Sequence, residues 1–172
     1  MSSARDYQHM HVRSTRISRA TTIDIVTRSR LWDTRRNSTA VLKRALRQAA
    51  SAVALKGGEL AVVLADDSTV RDLNRAWRRQ DKSTNVLSFP ADARPIPSAT
   101  RALLGDIVIA YETTEREARA LGKPFAHHLA HLAVHGFLHL LGYDHRAEHE
   151  AHAMEELEIC ILGRLGVPNP YC

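Results

Sequence analysis

The sequence lacks the features of secreted, membrane-bound or disulfide-stabilised proteins. It contains only two cysteines among 172 residues, Cys160 and Cys172. We expect both to be free thiols in a reducing compartment, with Cys160 on the apolar side of a helix. No stretch approaches the roughly 18 apolar residues of a membrane helix, and the N-terminus has no hydrophobic core of a secretory signal. A cytoplasmic protein without membrane association is predicted.

Acidic residues are nearly absent from the first twenty positions. These contain Arg5, Arg13, Arg16 and Arg19 against a single acidic residue, Asp6. Because this segment has almost no apolar periodicity, residues 1–20 are predicted to be a basic, disordered extension, and residues 21–172 the folded domain. The whole chain has a net charge of +5, which favours an anionic partner.

Hydrophobic periodicity predicts an α+β fold in a single domain. Strands are expected over residues 22–26, 60–64, 86–89 and 106–111, with the second one central and Pro90 stopping the third. Helices are expected over residues 37–54, 67–77, 112–121, 124–141 and 148–165, and a polar loop over residues 91–100. The second of these helices should bury Val70, Leu73 and Trp77. The prediction is a small mixed four-stranded sheet packed with about five helices.

Three histidines on and after the fourth helix predict a metal site. His135 and His139 are four residues apart, so their imidazoles project from one face of a helix. Gly142 can end this helix and turn the chain, which brings His145 toward the same ion. Three neutral imidazoles with an open fourth position are typical of catalytic zinc. The helix is apolar on more than one side, so we expect it to be the central, buried one.

Other polar residues near this motif have weaker signals. His127 and His131 extend the four-residue spacing backwards, and we expect them to form hydrogen bonds or line the groove rather than bind metal. A buried histidine ligand needs an acceptor for its second ring nitrogen. Candidate acceptors are Asp144, Glu150 and Asp106, although each of these also suits a helix cap or the surface.

The same histidine spacing occurs in metzincin proteases, but the residue after the first histidine differs. In the proteases it is a glutamate that acts as general base; here it is Gly136, which cannot move a proton. Met154 lies only nine residues after His145, too near to be the downstream Met-turn. The spacing is therefore protease-like while the chemistry is different.

Four segments together match one known family. They are His135-Gly-Phe-Leu-His-Leu-Leu-Gly-Tyr-Asp-His145 followed by Glu150, Met154 and Glu155; Leu73-Asn-Arg-Ala-Trp-Arg78; Thr84-Asn-Val-Leu-Ser-Phe-Pro90; and Leu104-Gly-Asp-Ile107. The chain closely resembles the YbeY endoribonuclease (rRNA maturation factor) family. The segments occur in the order of that family, and the resemblance covers residues 22–171, outside the basic extension.

The resemblance implies a zinc-dependent, single-strand-specific endoribonuclease. It implies that one zinc ion is held by His135, His139 and His145, and that Arg78 is the functional arginine. The aromatic residue before this arginine is Trp77, a conservative departure. The implied role is ribosomal RNA maturation, notably at the 3′ end of small-subunit RNA, and ribosome quality control. The implied partners are ribosomal RNA and the small subunit with its proteins, and the chain is expected to be a monomer.

Basic residues around Trp77 agree with an RNA substrate. Arg75, Arg78, Arg79 and Lys82 fall within eight residues, and arginine forks suit phosphate. An exposed aromatic ring could stack on an unpaired base. The alternative is a solvated helix end with Trp77 in the core. We expect Trp77 to lie in the core and Arg78 to have a functional role.

The expected mechanism is phosphodiester cleavage with zinc as Lewis acid and Arg78 on the phosphate. Because Gly136 supplies no base, the nucleophile is either water or the 2′-hydroxyl of the RNA, and a slow enzyme is expected. Two alternatives stay open. One is a metallohydrolase with another substrate, which would be indifferent to Arg78. The other is an RNA-binding ribosome assembly factor with little catalysis, whose zinc holds the fold together.

Overall fold

The structure, a computed structural model, describes residues 20–91, 102–144 and 147–172. The strands are β1 (Thr21–Thr27), β2 (Gly58–Ala65), β3 (Val86–Pro90) and β4 (Leu103–Ala110). The helices are α1 (Ser38–Ala52), α2 (Asp67–Arg78), α3 (Tyr111–Ala120), α4 (Phe125–Leu140) and α5 (Glu148–Arg164). This is the predicted element order, and the α+β fold with a four-stranded sheet is confirmed. A short 3₁₀ helix, Arg30–Thr34, was not predicted.

The sheet is mixed and has the order β1-β2-β4-β3. Strands β1, β2 and β4 are parallel to one another. Strand β3 runs antiparallel to β4 and forms one edge of the sheet. Pro90 is the last residue of β3, where a missing N–H costs the sheet little. The predicted loop at residues 91–100 lies outside the described residues except for Ala91.

Helix α4 is the central helix of the fold, as predicted. Most of its residues are buried, and it packs on β3, β4 and three other helices. Its approach to the sheet is closest at Gly136, where an added Cβ would lie 3.0 Å from Ile107 Cγ2 and 3.1 Å from Ser88 Oγ. Ser88 Oγ also donates a hydrogen bond of 3.0 Å to the Gly136 carbonyl. α4 is thus held directly against β3.

The opposite face of the sheet is only partly covered. Strand residues alternate between faces, so Ile107 and Ile109 belong to the core under α4 while Val108 and Ala110 face α2. Helix α2 contributes Val70 to this second, smaller cluster. Among residues 20–91, 102–144 and 147–172, no further helix covers this face beyond α2.

Two predictions about burial are wrong. Trp77 is 72% exposed rather than in the core, because it lies in the last turn of α2, beyond the covered part of the sheet. Cys160 is exposed rather than on an apolar helix face, although both cysteines are free thiols as predicted. No helix in the described ranges is long and apolar enough to cross a membrane.

Candidate metal centre

Four histidines form a continuous row along α4. His128, His131, His135 and His139 are spaced by three or four residues, so they share one face of the helix. The distances between successive ring centroids are 6.3, 6.2 and 4.6 Å. The rings are therefore close enough to one another for shared ligands or shared hydrogen-bond partners.

A carboxylate from α5 supports the middle of this row. Glu158 is completely buried. Its Oε1 lies 2.7 Å from Nδ1 of His135, and its Oε2 lies 3.1 Å from Nε2 of His131. The Tyr171 hydroxyl also donates to Oε2. Burial raises the pKa of Glu158, but the hydrogen bonds from His131, His135 and Tyr171 outweigh it and lower the pKa to about 2. The carboxylate therefore stays ionised.

These groups form a candidate site for a cation. The ligand atoms of His131, His135 and Glu158 all lie within 4.8 Å of one another. A buried anion beside two imidazoles suits a transition-metal ion such as zinc, which takes nitrogen and carboxylate ligands. The same geometry also describes a carboxylate that orients histidine ligands through hydrogen bonds.

His135 and His139 converge through their other nitrogens. Their Nε2 atoms are 3.1 Å apart. When Nδ1 of His135 donates to Glu158, its Nε2 is the nitrogen that carries the lone pair. Two imidazoles bound to one tetrahedral zinc at about 2.05 Å would place their nitrogens about 3.3 Å apart. The observed pair is thus close to the spacing of two ligands on one ion.

The other residues predicted for the metal site or near it lie within α4 and after it, or on neighbouring elements. His145 lies outside the described residues. Gly142 has a φ of 88°, so the chain turns after α4 where the sequence predicted it. His131 forms a hydrogen bond, as expected, and belongs to the candidate cation site. The partner of His135 Nδ1 is Glu158, which was not among the predicted acceptors Asp144, Glu150 and Asp106.

Glu158 was missed, although the sequence contains a signal for it. The buried residues of α5 are Met154, Glu158, Ile161 and Leu162, a helical stripe in which one member is charged. Carboxylates are almost never fully buried without a partner. A glutamate within an apolar stripe therefore indicates a partner on the facing helix, here the histidine row of α4.

The predicted basic residues lie at the C-terminal end of α2. Arg78 and Arg79 are exposed, and Arg79 ends the helix in a left-handed conformation. Arg75 pairs with Asp72 at 2.9 Å. The Lys82 carbonyl accepts from the Asn74 side chain, which fixes the chain after the helix. Helices α2 and α4 pack on opposite faces of the sheet, and both contact β3: Trp77, next to Arg78, meets Phe89, and Gly136, next to His135, accepts a hydrogen bond from Ser88.

Fold and site together define a single-domain α+β protein with a histidine-based candidate metal centre. The sequence profile of the family described as Endoribonuclease YbeY matches residues 24–166. The chain belongs to this family. The Endoribonuclease YbeY of Rhodopseudomonas palustris strain BisA53 is 57% identical over 144 residues, which cover 81% of this chain and 84% of that protein. That of Methylocella silvestris is 49% identical over 87% of this chain and 85% of its own length.

One solved structure has the same fold. The solution structure of TM1509 from Thermotoga maritima aligns with a TM-score of 0.51 over 84% of this chain and 92% of the other. The two sequences are 22% identical, so this likeness concerns the fold alone.

Proposed function

We propose that the chain is a zinc-dependent, single-strand-specific endoribonuclease of ribosomal RNA maturation. Its site of action would be the 3′ end of small-subunit RNA, with a further role in ribosome quality control. The observation that carries the proposal is the convergence of His135 and His139 at 3.1 Å, with Glu158 orienting the first ring. Family membership and relatives named as endoribonucleases support the reaction class.

The ligands of the single zinc ion would be His135, His139 and His145. In this assignment Glu158 is a support, because its oxygens lie at hydrogen-bond distances from two ring nitrogens. The alternative set of His131, His135 and Glu158, whose ligand atoms lie within 4.8 Å of one another, would instead use Glu158 as a direct ligand. When bound, zinc would supply a Lewis acid for the phosphate and the attacking oxygen.

The chain's own residues would bind the RNA and orient the phosphate. Arg78 would hold the scissile phosphate with its planar fork and stabilise charge in the transition state. Arg75, Arg79 and Lys82 would contact the neighbouring backbone. Gly136 provides no general base, so the nucleophile is water or the RNA 2′-hydroxyl. Products ending in a 3′-hydroxyl would indicate water, and 2′,3′-cyclic phosphate ends the 2′-hydroxyl.

The proposed setting is the bacterial cytoplasm. The protein would act as a monomer on ribosomal RNA, with the small subunit and its associated proteins as partners. Residues 21–172 would form the nuclease domain, and residues 1–20 a basic extension outside it.

The test is cleavage of a fragment carrying the 3′ end of small-subunit RNA, with wild type and variants matched for zinc content. We expect Arg78→Ala to lower kcat/KM by about 100-fold or more, because a transition-state donor is removed. Arg28→Ala, which removes an exposed arginine after β1, should leave it unchanged. Equal activity in all three proteins would indicate a contaminating ribonuclease and refute the assignment.

Gly136 also favours a second candidate, an RNA-binding ribosome assembly factor with little catalysis. Metzincin proteases have a glutamate as general base at this position, whereas a glycine cannot accept a proton. This candidate predicts RNA binding without cleavage, and unfolding of the domain on zinc chelation. A metallohydrolase acting on another substrate would instead keep its activity in the Arg78→Ala variant.

A further inference from the structure

Trp77 is a large aromatic residue that the fold leaves in solvent. It is 72% exposed, and its ring meets Phe89 of β3 edge-on, with centroids 6.0 Å apart and an interplanar angle of 66°. Scattered exposed apolar residues are common. Here, however, the exposed ring borders a groove of about 870 Å³, so it forms part of a concave surface.

The groove lies on the face of the sheet that carries α2. Its floor follows one row of paired residues across all four strands: Asp24, Ala61, Asp106 and Phe89. Leu73 and Trp77 of α2 form one wall, and Leu103 lines the groove from β4. The aromatic end of the groove is thus at the β3 edge.

Charge is distributed unevenly around this groove. Arg78 and Arg79 follow Trp77 directly and are exposed, whereas Asp24 and Asp106 on the floor are exposed carboxylates. A polyanion is therefore attracted to the helix end and repelled from the floor. A strand of RNA can satisfy both conditions if its phosphates contact the arginines and a neutral base enters the groove.

We infer that the Trp77 groove binds an unpaired nucleobase of single-stranded RNA, which stacks on the indole of Trp77. Every base has a π-face, so such a contact tolerates any sequence but requires the base to be unpaired. The inference rests on the proposed nuclease function and deepens it, since it assigns a contact that selects single strands.

Strand β3 connects this groove to the histidine row. Phe89 faces the groove, while the preceding residue, Ser88, bonds to the carbonyl of Gly136, next to His135. An RNA strand that passes around this sheet edge could therefore place a base on Trp77 and a phosphate further along the strand on the side of the histidines.

The two tryptophans of the chain make the inference testable by fluorescence. Trp32 is 3% exposed, and its Nε1–H donates to the Ala65 carbonyl, so it is shielded from RNA. The ligand would be a 2′-O-methyl RNA 12-mer, which resists cleavage, offered to the zinc-loaded protein as a single strand and as a duplex. We expect the single strand to quench wild-type emission and leave the Trp77→Phe variant, which emits from Trp32, unchanged.

Affinity, measured by anisotropy of a labelled strand, gives a second readout. Trp77→Leu should weaken single-strand binding between about fivefold and 150-fold, and Trp77→Phe should retain most of the affinity because it keeps a ring. Leu121→Ser, at an exposed leucine of another surface, should bind like wild type.

The outcomes separate the two proposals. RNA binding could depend on Arg78 without quenching Trp77 fluorescence and without weakening in Trp77→Leu. This result would overturn the stacking inference and leave the nuclease proposal standing. An apolar protein segment would then be the better occupant of the groove. Equal quenching by duplex would also overturn it. Absence of any RNA binding would overturn both proposals.

Discussion

At the scale of single residues, Glu158 determines how the histidine row is arranged. It is a fully buried anion whose two oxygens engage His131 and His135. A buried charge of this kind is costly unless every oxygen has a donor. The donors found here are the two imidazoles and the Tyr171 hydroxyl, so burial of the carboxylate and orientation of the rings depend on each other.

We expect Glu158→Gln to weaken zinc binding by about 10- to 100-fold, because glutamine has only one acceptor oxygen for the two histidines. Affinity would be measured by competition with a chromogenic chelator. The control is Glu117→Gln, which removes the carboxylate beside His128 and Asn85 but touches neither His135 nor His139. Equal zinc affinity in all three proteins would contradict the supporting role of Glu158.

At the scale of elements, the residue that follows His135 in α4 is Gly136, a glycine in close contact with the sheet. Consecutive helical residues differ by about 100° in direction, so position 136 faces the sheet while His135 faces Glu158 of α5. An added Cβ would lie 3.0 Å from Ile107 Cγ2 and 3.1 Å from Ser88 Oγ, so these neighbours would have to shift by a few tenths of an ångström. The departure from the protease pattern thus coincides with a tight contact between α4 and the sheet.

We predict that Gly136→Ala lowers the free energy of unfolding by about 1–3 kcal/mol, since the added methyl group overpacks the contact between α4 and the sheet. The matched control is Gly163→Ala in α5, where an added Cβ meets nothing within 4 Å. This change should stabilise the protein by up to about 1 kcal/mol through helix propensity. Urea unfolding measures both, and similar effects at the two glycines would refute the packing argument.

The elements were predictable because their signals are local, whereas several site features were not. The spacing of His135 and His139 lies within one helix, and their convergence followed from it. Trp77 fits the apolar stripe of α2, but its exposure depends on where the helix passes beyond the sheet. Glu158 meets the histidines only because α5 packs on α4, a contact between segments over 20 residues apart.

At the scale of the whole molecule, an ion pair joins the segment after β1 to α3. Arg35 contacts Glu115 at 2.6 Å, and Glu115 also pairs with Arg119 at 2.7 Å. The hydrogen bond from Arg35 lowers the pKa of Glu115 below its ordinary value of 4.5. This contact therefore contributes stability above about pH 4.5, and the contribution is lost as the pH falls through the folded-state pKa.

For Glu115→Gln we expect a free energy of unfolding about 1 kcal/mol lower than wild type at pH 7, since the pair is partly exposed. The difference between the two proteins should shrink as the pH falls below about 4.5. Denaturant unfolding at several pH values measures this, with the exposed Glu156→Gln as control. If the difference in unfolding free energy between wild type and Glu115→Gln grew toward acid pH, the predicted direction of the pH dependence would be wrong.

The position of Glu158 in the chain has a consequence for synthesis. Translation produces the histidines of α4 before the carboxylate of α5 that orients them, with 22 residues between His135 and Glu158. A nascent chain that folds from its N-terminus therefore presents His131 and His135 without their acceptor until α5 has emerged and docked. The arrangement in which Glu158 orients His131 and His135 is therefore among the last features of the domain to form.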